Sequence, residues 1–181
     1  MKSAILAILL SFQLSPREQL PESPEDRVSR LGVVAAAIEA TANRAACYQR
    51  SPCRVVVGDR YLAASVLIVQ ARRESALRHD IQVGQCLPHE CDGGRAKGLW
   101  QLHRAPWRET VEQWESYARE EQDGVEAAAW RTITLWAGGA RDGKLACGFA
   151  RLAGWAVCWS DYGADRAAET LRVAVRLRGA E

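Results

Sequence analysis

The stretch YLAASVLIVQARRE, residues 61–74, decides the fold because it is a long apolar run that ends in a charged cluster. Leu67, Ala71 and Glu74 are spaced by four and then three residues, so they share one face of a helix. Asp59 precedes the run and is a suitable N-cap. We therefore predict a helix that begins after Asp59 and ends near Glu74, with the glutamate at the end of an apolar stripe.

The position of Glu74 suggests acid chemistry. Partial burial and the negative end of the helix dipole both disfavour a charged carboxylate there. A glutamic acid that keeps its proton near neutral pH can protonate the leaving oxygen of a glycoside. Arg72 or Arg73 would oppose this if either side chain folded back onto Glu74. The alternative is an ordinary solvated glutamate at a helix end.

The rest of the chain is predicted to be mainly α-helical. A β-branched run at 54–57 is the strongest strand candidate, and the Gly- and Cys-rich segment 79–97 is predicted to be a loop. The other predicted helices cover residues 28–46, 108–121, 125–137 and 165–177.

The length and charge of the chain limit the classes of function that it can have. The chain has 181 residues, 48% of them hydrophobic and 25% charged, which favours one globular domain. A net charge of +2 with no dense Lys/Arg run argues against a nucleic-acid partner. A mildly basic protein is still attracted to an anionic polymer such as cell wall.

Six cysteines fall in close couples, which indicates local disulfides formed in an oxidising compartment. Six cysteines allow about 15 pairings, and reduced thiols in the cytosol are the alternative. The couples are Cys47 with Cys53, Cys86 with Cys91, and Cys147 with Cys158.

The N-terminus resembles an export signal. One lysine, an apolar run at 4–10 and a polar exit predict a signal peptide over 1–15, although a leader that packs on the domain is the alternative. The run is too short to span a bilayer. Three prolines predict a flexible linker over 16–27, and 28–181 forms the domain. The expected location is secreted or periplasmic.

Two motifs carry a family resemblance. The segment ARRESAL at 71–77 is followed by KGLWQL at 97–102, and 27 positions separate Glu74 from Gln101. This ordered pair resembles the lytic transglycosylase domain of the lysozyme superfamily, in which an apolar helix ends in Glu-Ser and a Gly-Leu-Met-Gln-like turn follows. The resemblance implies a lysozyme-like single domain that cleaves peptidoglycan.

The resemblance also implies roles for individual residues. Glu74 would be the general acid and then the general base, and Ser75 would orient the substrate or the glutamate. Gly98 would let the backbone approach the sugar, and Gln101 would donate or accept hydrogen bonds near the cleft. Leu99 and Trp100 complete this substrate-binding stretch, with Trp100 where methionine is usual. A plain turn at Gly98 and a surface amide at Gln101 are the alternatives.

One segment departs from the family pattern. The nearest match to the Ala-Tyr-Asn-Ala-Gly-like segment is ARLAG at 150–154, where Arg151 and Leu152 replace Tyr and Asn. Tyr162 is the candidate to line the cleft instead. The late Gly-x-x-x-Cys and Arg-rich final helix resemble transglycosylase-like proteins of phage particles and secretion machines, so a virion-associated location and such an assembly partner are also allowed.

A single carboxylate can suffice for this reaction, because the C6 hydroxyl of N-acetylmuramic acid is a tethered nucleophile. A hydrolase would need a second carboxylate, for which Asp80, Glu90 and Asp92 are candidates. Each of the three also suits an ordinary turn or loop. Trp100 and Trp107 flank the proposed cleft and could stack on sugars, although core packing is the commoner role of tryptophan.

A metal site is the rival chemistry. Cys86, His89 and Cys91 lie in one short loop, and His79 or His103 could complete a zinc site. The spacing matches no standard zinc motif, and the cysteine couples favour disulfides. We therefore predict an enzyme without metal or cofactor. A hydrolytic muramidase and a non-catalytic cell-wall-binding or structural module are the alternatives.

Overall fold

The protein is described by a computed structural model over residues 1–12, 22–46, 59–106, 109–135 and 162–181, with side chains of the last range from residue 168. Within these ranges the chain is mainly helical, as predicted. The helices are α1 (Lys2–Leu10), α2 (Pro24–Ala46), α3 (Arg60–Ser75), α4 (His79–Gln82), α5 (Val111–Ser116), α6 (Gln122–Thr134) and α7 (Tyr162–Arg178).

Helix α3 is the central element of the described fold. Its N-cap is Asp59, as predicted, and the Asp59 carboxylate accepts hydrogen bonds from the backbone N–H groups of Tyr61 and Leu62 at 3.0 and 3.2 Å. The helix packs against α2, α6 and α7, so apolar residues around its whole circumference are buried. Leu67 is fully buried, and truncating such a side chain to alanine typically costs about 2–5 kcal/mol.

The N-terminal segment forms helix α1, which packs against α2 and, to a lesser extent, α3. Ile5, Ile8 and Leu9 are buried in this contact. Residues 4–10 of this helix are the apolar run of the predicted signal peptide. That assignment stays a prediction, as does the division of the chain into leader, linker and domain.

Helix α2 begins at Pro24, four residues before the start predicted for it. Pro24 occupies the first helical position, where its fixed φ is favourable and its missing N–H is not needed. The Ser23 hydroxyl accepts a hydrogen bond from the Asp26 N–H at 3.1 Å, as an N-cap does.

The bounds of several helices differ from the predicted ones. The helix predicted over 108–121 is confined to α5, where Thr110 and Gln113 form a capping box. Helices α6 and α7 each begin three residues before their predicted starts. The strand candidate at 54–57 lies outside the described residues.

The segment predicted to be a loop carries short regular elements. Helix α4 opens it, a 3-10 turn covers Asp92–Gly94, and strand β1 (Ala96–Lys97) closes it. Strand β1 pairs antiparallel with β2 (Leu102–His103), with Ala96 opposite His103. Strands of two residues leave too little periodicity for a sequence pattern to predict.

Each helix in the described residues is too short or too polar to cross a bilayer.

Candidate active site

Glu74 lies on the wall of a cavity of about 590 Å³. It is half-buried in the last turn of α3, and Gln70, one turn earlier, donates a hydrogen bond from Nε2 to its Oε1 at 2.8 Å. The residues that line the cavity are Gln70, Glu74, His89, Glu90, Asp92, Ala96, Trp100, Gln101, Leu102, His103, Arg131, Thr132 and Leu135. The cavity thus brings together the end of α3, the following loop, the hairpin and α6.

Ser75 supports the helix end and does not line this cavity. Its side chain is buried, and its hydroxyl donates to the Ala71 carbonyl at 2.7 Å and accepts from the Leu77 N–H at 3.2 Å. Ala76 and Leu77 then adopt positive φ values of 51° and 59°, which turn the chain away from the helix axis. The structure therefore gives the Ser75 hydroxyl two backbone partners, and its role in orienting the substrate or the glutamate stays a prediction.

A glycine is required at position 98 because a backbone carbonyl of the protein itself lies close to it. The residue opens the hairpin turn with a φ of 70°, and a Cβ atom there would lie 2.1 Å from the carbonyl oxygen of Tyr117. This contact is a reason for glycine within the protein itself. An approach of the Gly98 backbone to the sugar stays a prediction.

Of the next two hairpin residues, Leu99 belongs to the core and Trp100 lines the cavity. Leu99 is buried in the core and does not line the cavity. Trp100 lines the cavity but is only 3% exposed, and its Nε1 donates to the Leu67 carbonyl of α3 at 3.0 Å. A ring held in this way gives the cavity a rigid apolar wall and offers little free face for stacking.

Gln101 is the most accessible of the predicted hairpin residues. It is half-buried with a φ of 48°, and its Nε2 donates to the Gly98 carbonyl at 3.0 Å. Because Gln101 lines the cavity and its amide oxygen is an acceptor, it can contact a polar ligand without losing that hydrogen bond. The structure therefore brings Glu74, Trp100 and Gln101 to one cavity.

Arg78 organises two of the candidate second carboxylates. It is buried and donates to both oxygens of Asp80 at 3.0 and 2.5 Å, and to both oxygens of Glu90 at 2.6 and 2.9 Å. These hydrogen bonds lower the pKa of Glu90 below its ordinary value. Asp80 is fully buried and does not line the cavity, so its role is structural.

Asp92 also lines the cavity, and its side chain is more accessible than that of Glu90. Its side chain is 53% exposed and lies 3.4 Å from the Nε2 atom of His103 and 3.4 Å from a guanidinium nitrogen of Arg95. Its backbone has a φ of 50°, a conformation that aspartate tolerates better than most residues. Asp92 therefore fits a second carboxylate better than Asp80.

A disulfide joins Cys86 to Cys91 with a Cα–Cα distance of 6.1 Å. It closes the loop that carries His89 and Glu90 and leads into Asp92. Cys86 and Cys91 were two of the candidate zinc ligands, and as a disulfide they cannot bind zinc as thiolates. Within the described ranges, no three His, Cys, Asp or Glu side chains lie together in a way that could hold a metal ion. The other cysteines, 47, 53, 147 and 158, lie outside these ranges.

Arg72 and Arg73, which flank Glu74 in sequence, both bind Glu169 of α7. Arg72 forms a short hydrogen bond to one carboxylate oxygen, and Arg73 donates to the other from Nε and a terminal nitrogen at 2.9 and 2.7 Å. Burial alone would raise the pKa of Glu169, but the hydrogen bonds from Arg73 and Arg72 lower it below its ordinary value.

Sequence reasoning missed cavity residues on α3 and at the C-terminal end of α6. Gln70 could have been found, because it lies four residues before Glu74 on the same helix. Arg131, Thr132 and Leu135 reach the cavity from α6 through tertiary packing, which leaves no local signal. Arg131 is held there by Glu109, with 2.5 Å between its Nε and a carboxylate oxygen.

Four predicted positions have side chains outside the described residues. Tyr162 begins α7, but its side chain lies outside the described residues, as do Trp107 and the departing pair Arg151 and Leu152.

Comparisons of the chain with protein-family models, with curated proteins and with solved structures find no match.

Proposed function

We propose that this chain is a peptidoglycan lytic transglycosylase that cleaves the β-1,4 bond between N-acetylmuramic acid and N-acetylglucosamine. The observation that carries the proposal is the position of Glu74, half-buried on a cavity wall and hydrogen-bonded by Gln70. The resemblance of the Glu-Ser and Gly-Leu-Trp-Gln segments to that family supplies the reaction and the substrate.

Glu74 performs both proton transfers in this mechanism. Its protonated carboxyl donates to the glycosidic oxygen as the bond to C1 breaks, and N-acetylglucosamine leaves with that proton. The resulting carboxylate then takes the proton of the muramic acid C6 hydroxyl as that oxygen attacks C1. The products are a 1,6-anhydro-muramic acid end and a new N-acetylglucosamine end, without water, metal or cofactor.

The cavity walls suit a bound sugar strand. Gln101 offers an amide that can exchange hydrogen bonds with hydroxyl or acetamido groups, and Trp100 provides a fixed apolar surface. The Cys86–Cys91 disulfide fits an oxidising location outside the cytoplasm, which is where the substrate occurs.

The position of Asp92 supports a second candidate function, that of a hydrolytic muramidase. Its accessible carboxylate lies on the same cavity as Glu74 and could activate a water molecule. The substrate and the acid are the same in both reactions, and the products differ.

Mass spectrometry of fragments released from purified peptidoglycan distinguishes the candidates. The wild-type protein, Glu74→Gln and Asp92→Asn are compared. Glu112→Gln is the control, because Glu112 is exposed on α5 and does not line the cavity. Anhydro-muramic ends that disappear only in Glu74→Gln support the transglycosylase. Reducing ends that depend on Glu74 and Asp92 select the hydrolase, and binding without release by a folded wild-type protein contradicts both.

A further inference from the structure

We propose that Arg131 is a specificity-determining residue: it binds a carboxylate of the muramic acid unit and thereby distinguishes this sugar from N-acetylglucosamine. The carboxylate belongs to the lactyl group itself or to the peptide attached to that group. The inference rests on the proposed function for its substrate and on the wall of the cavity for its chemistry.

Arg131 supplies a positive charge to the cavity wall. It lies on α6 and is the one arginine or lysine among the described residues that line the cavity. Its side chain is 17% exposed, and its buried Nε lies 2.5 Å from a carboxylate oxygen of Glu109. Within the described part of the chain, the two terminal nitrogens of this guanidinium have no partner, so they are available to donate to a ligand.

Glu109 holds Arg131 in place. Its carboxylate is buried, and it accepts hydrogen bonds from the backbone N–H of Ala105 at 2.9 Å and from the Tyr117 hydroxyl at 3.0 Å. Burial, together with the charge of Glu109, raises the pKa of Tyr117 to about 12, so this hydroxyl keeps its proton and remains a donor. Arg131 therefore contacts a fixed anion, and a side chain that is already held loses less conformational entropy when it binds a ligand.

The acidic side chains on the cavity wall have partners of their own. Glu90 accepts hydrogen bonds from Arg78. Asp92 lies beside His103, and Glu74 carries a proton in the proposed reaction. The terminal nitrogens of a guanidinium match the two oxygens of a carboxylate, which muramic acid carries on its lactyl group and N-acetylglucosamine lacks. This difference between the two sugars is what Arg131 can recognise.

Three disaccharides test this recognition. Each joins N-acetylglucosamine to N-acetylmuramic acid, with the lactyl group as the free acid, as its amide, or coupled to L-alanyl-D-glutamate. None contains the bond that the proposed enzyme cleaves, so their dissociation constants for the wild-type protein can be measured by chemical-shift titration without turnover. We expect the free acid, the dipeptide form or both to bind about ten- to hundredfold more tightly than the amide. Preference for the free acid identifies the lactyl carboxylate, and preference for the dipeptide form alone identifies the peptide carboxylate.

Arg131→Gln should abolish this preference, so that all three disaccharides bind about as weakly as the amide. Arg119→Gln is the matched control, because Arg119 is exposed, does not line the cavity and loses the same charge. We expect the control to keep the wild-type preference. A merely structural role for Arg131 would weaken all three ligands by the same factor, and a preference that persists in this way would overturn the proposal.

A second variant guards against loss of folding, because Arg131→Gln leaves the buried Glu109 carboxylate without its ion pair. Arg131→Gln with Glu109→Gln removes both charges, and we expect this double variant to fold and to bind the three disaccharides equally. A preference that survives in the folded double variant contradicts the proposal.

Failure of the inference differs from failure of the proposed function. Equal binding of the three disaccharides by the wild-type protein contradicts the role of Arg131 and leaves the sugar site in place. A folded wild-type protein that binds none of them contradicts the sugar site, and this inference with it.

Discussion

Gln70 and Glu74 are one helical turn apart on α3, and the Gln70 amide donates a 2.8 Å hydrogen bond to the Glu74 carboxyl group. The bond restricts the rotamer of a side chain that, in the proposed reaction, must approach the glycosidic oxygen. Because proton transfer needs the acid within hydrogen-bonding reach of its target, a small displacement has a large effect on rate.

Gln70→Ala should lower the rate of fragment release about ten- to hundredfold while leaving the fold intact. Release is measured as soluble muropeptide per unit time, with circular dichroism as the check on folding. Gln122→Ala is the control, because Gln122 makes the same i,i+4 contact with Glu126 at 2.7 Å on the exposed side of α6. Equal rates for Gln70→Ala and the control would show that the amide does not orient the acid.

Gly98→Ala should destabilise the protein by about 1–3 kcal/mol or more, measured as the free energy of unfolding in urea. The added methyl group would collide with the Tyr117 carbonyl, since backbone cannot move as easily as a side-chain end. Gly93→Ala separates the two costs, because Gly93 has a similar φ of 67° and an open environment. If both variants lose the same stability, the Tyr117 contact is without consequence.

Replacing Cys86 and Cys91 together by alanine should lower the free energy of unfolding by about 2 kcal/mol, the value expected from chain entropy for so short a loop. Activity should fall further than stability alone explains, because the loop carries two cavity residues, His89 and Glu90. The measurement pairs urea unfolding with fragment release under conditions where the variant is fully folded. Full activity in that folded variant would contradict a role for the disulfide in shaping the cavity.

The contact between Glu90 and Arg78 should stabilise the protein in a pH-dependent way. Hydrogen bonds from Arg78 lower the pKa of Glu90 in the folded state, so the contribution is present above the unfolded pKa of about 4.3. It is lost as the pH falls through the lower, folded pKa. The difference in unfolding free energy between wild type and Glu90→Gln should therefore be constant near neutral pH and shrink in acid. A difference that grows in acid would reverse the assignment.

Local signals predicted the part of the fold on which the site depends. Asp59 caps α3, and the apolar run after it leads to Glu74, because capping and periodicity are encoded by neighbouring residues. The same spacing placed Glu74 at the end of an apolar stripe, and Glu74 lies on the cavity.

The remainder of the site depends on tertiary contacts. The Tyr117 carbonyl that excludes a side chain at position 98 comes from a segment 19 positions later, and Arg131 reaches the cavity from α6. Glu169 meets Arg72 and Arg73 across almost a hundred residues. Such pairs leave no periodic trace, so a single sequence does not predict them.

The contact between Gly98 and Tyr117 has a consequence for engineering this cavity. Position 98 is tied to a backbone oxygen and tolerates no side chain, whereas Gln101, at the other end of the same turn, already lines the cavity. A library meant to change ligand preference should therefore keep glycine at 98 and vary position 101. Diversity would then be concentrated where a ligand can meet it, and few members would be lost to misfolding.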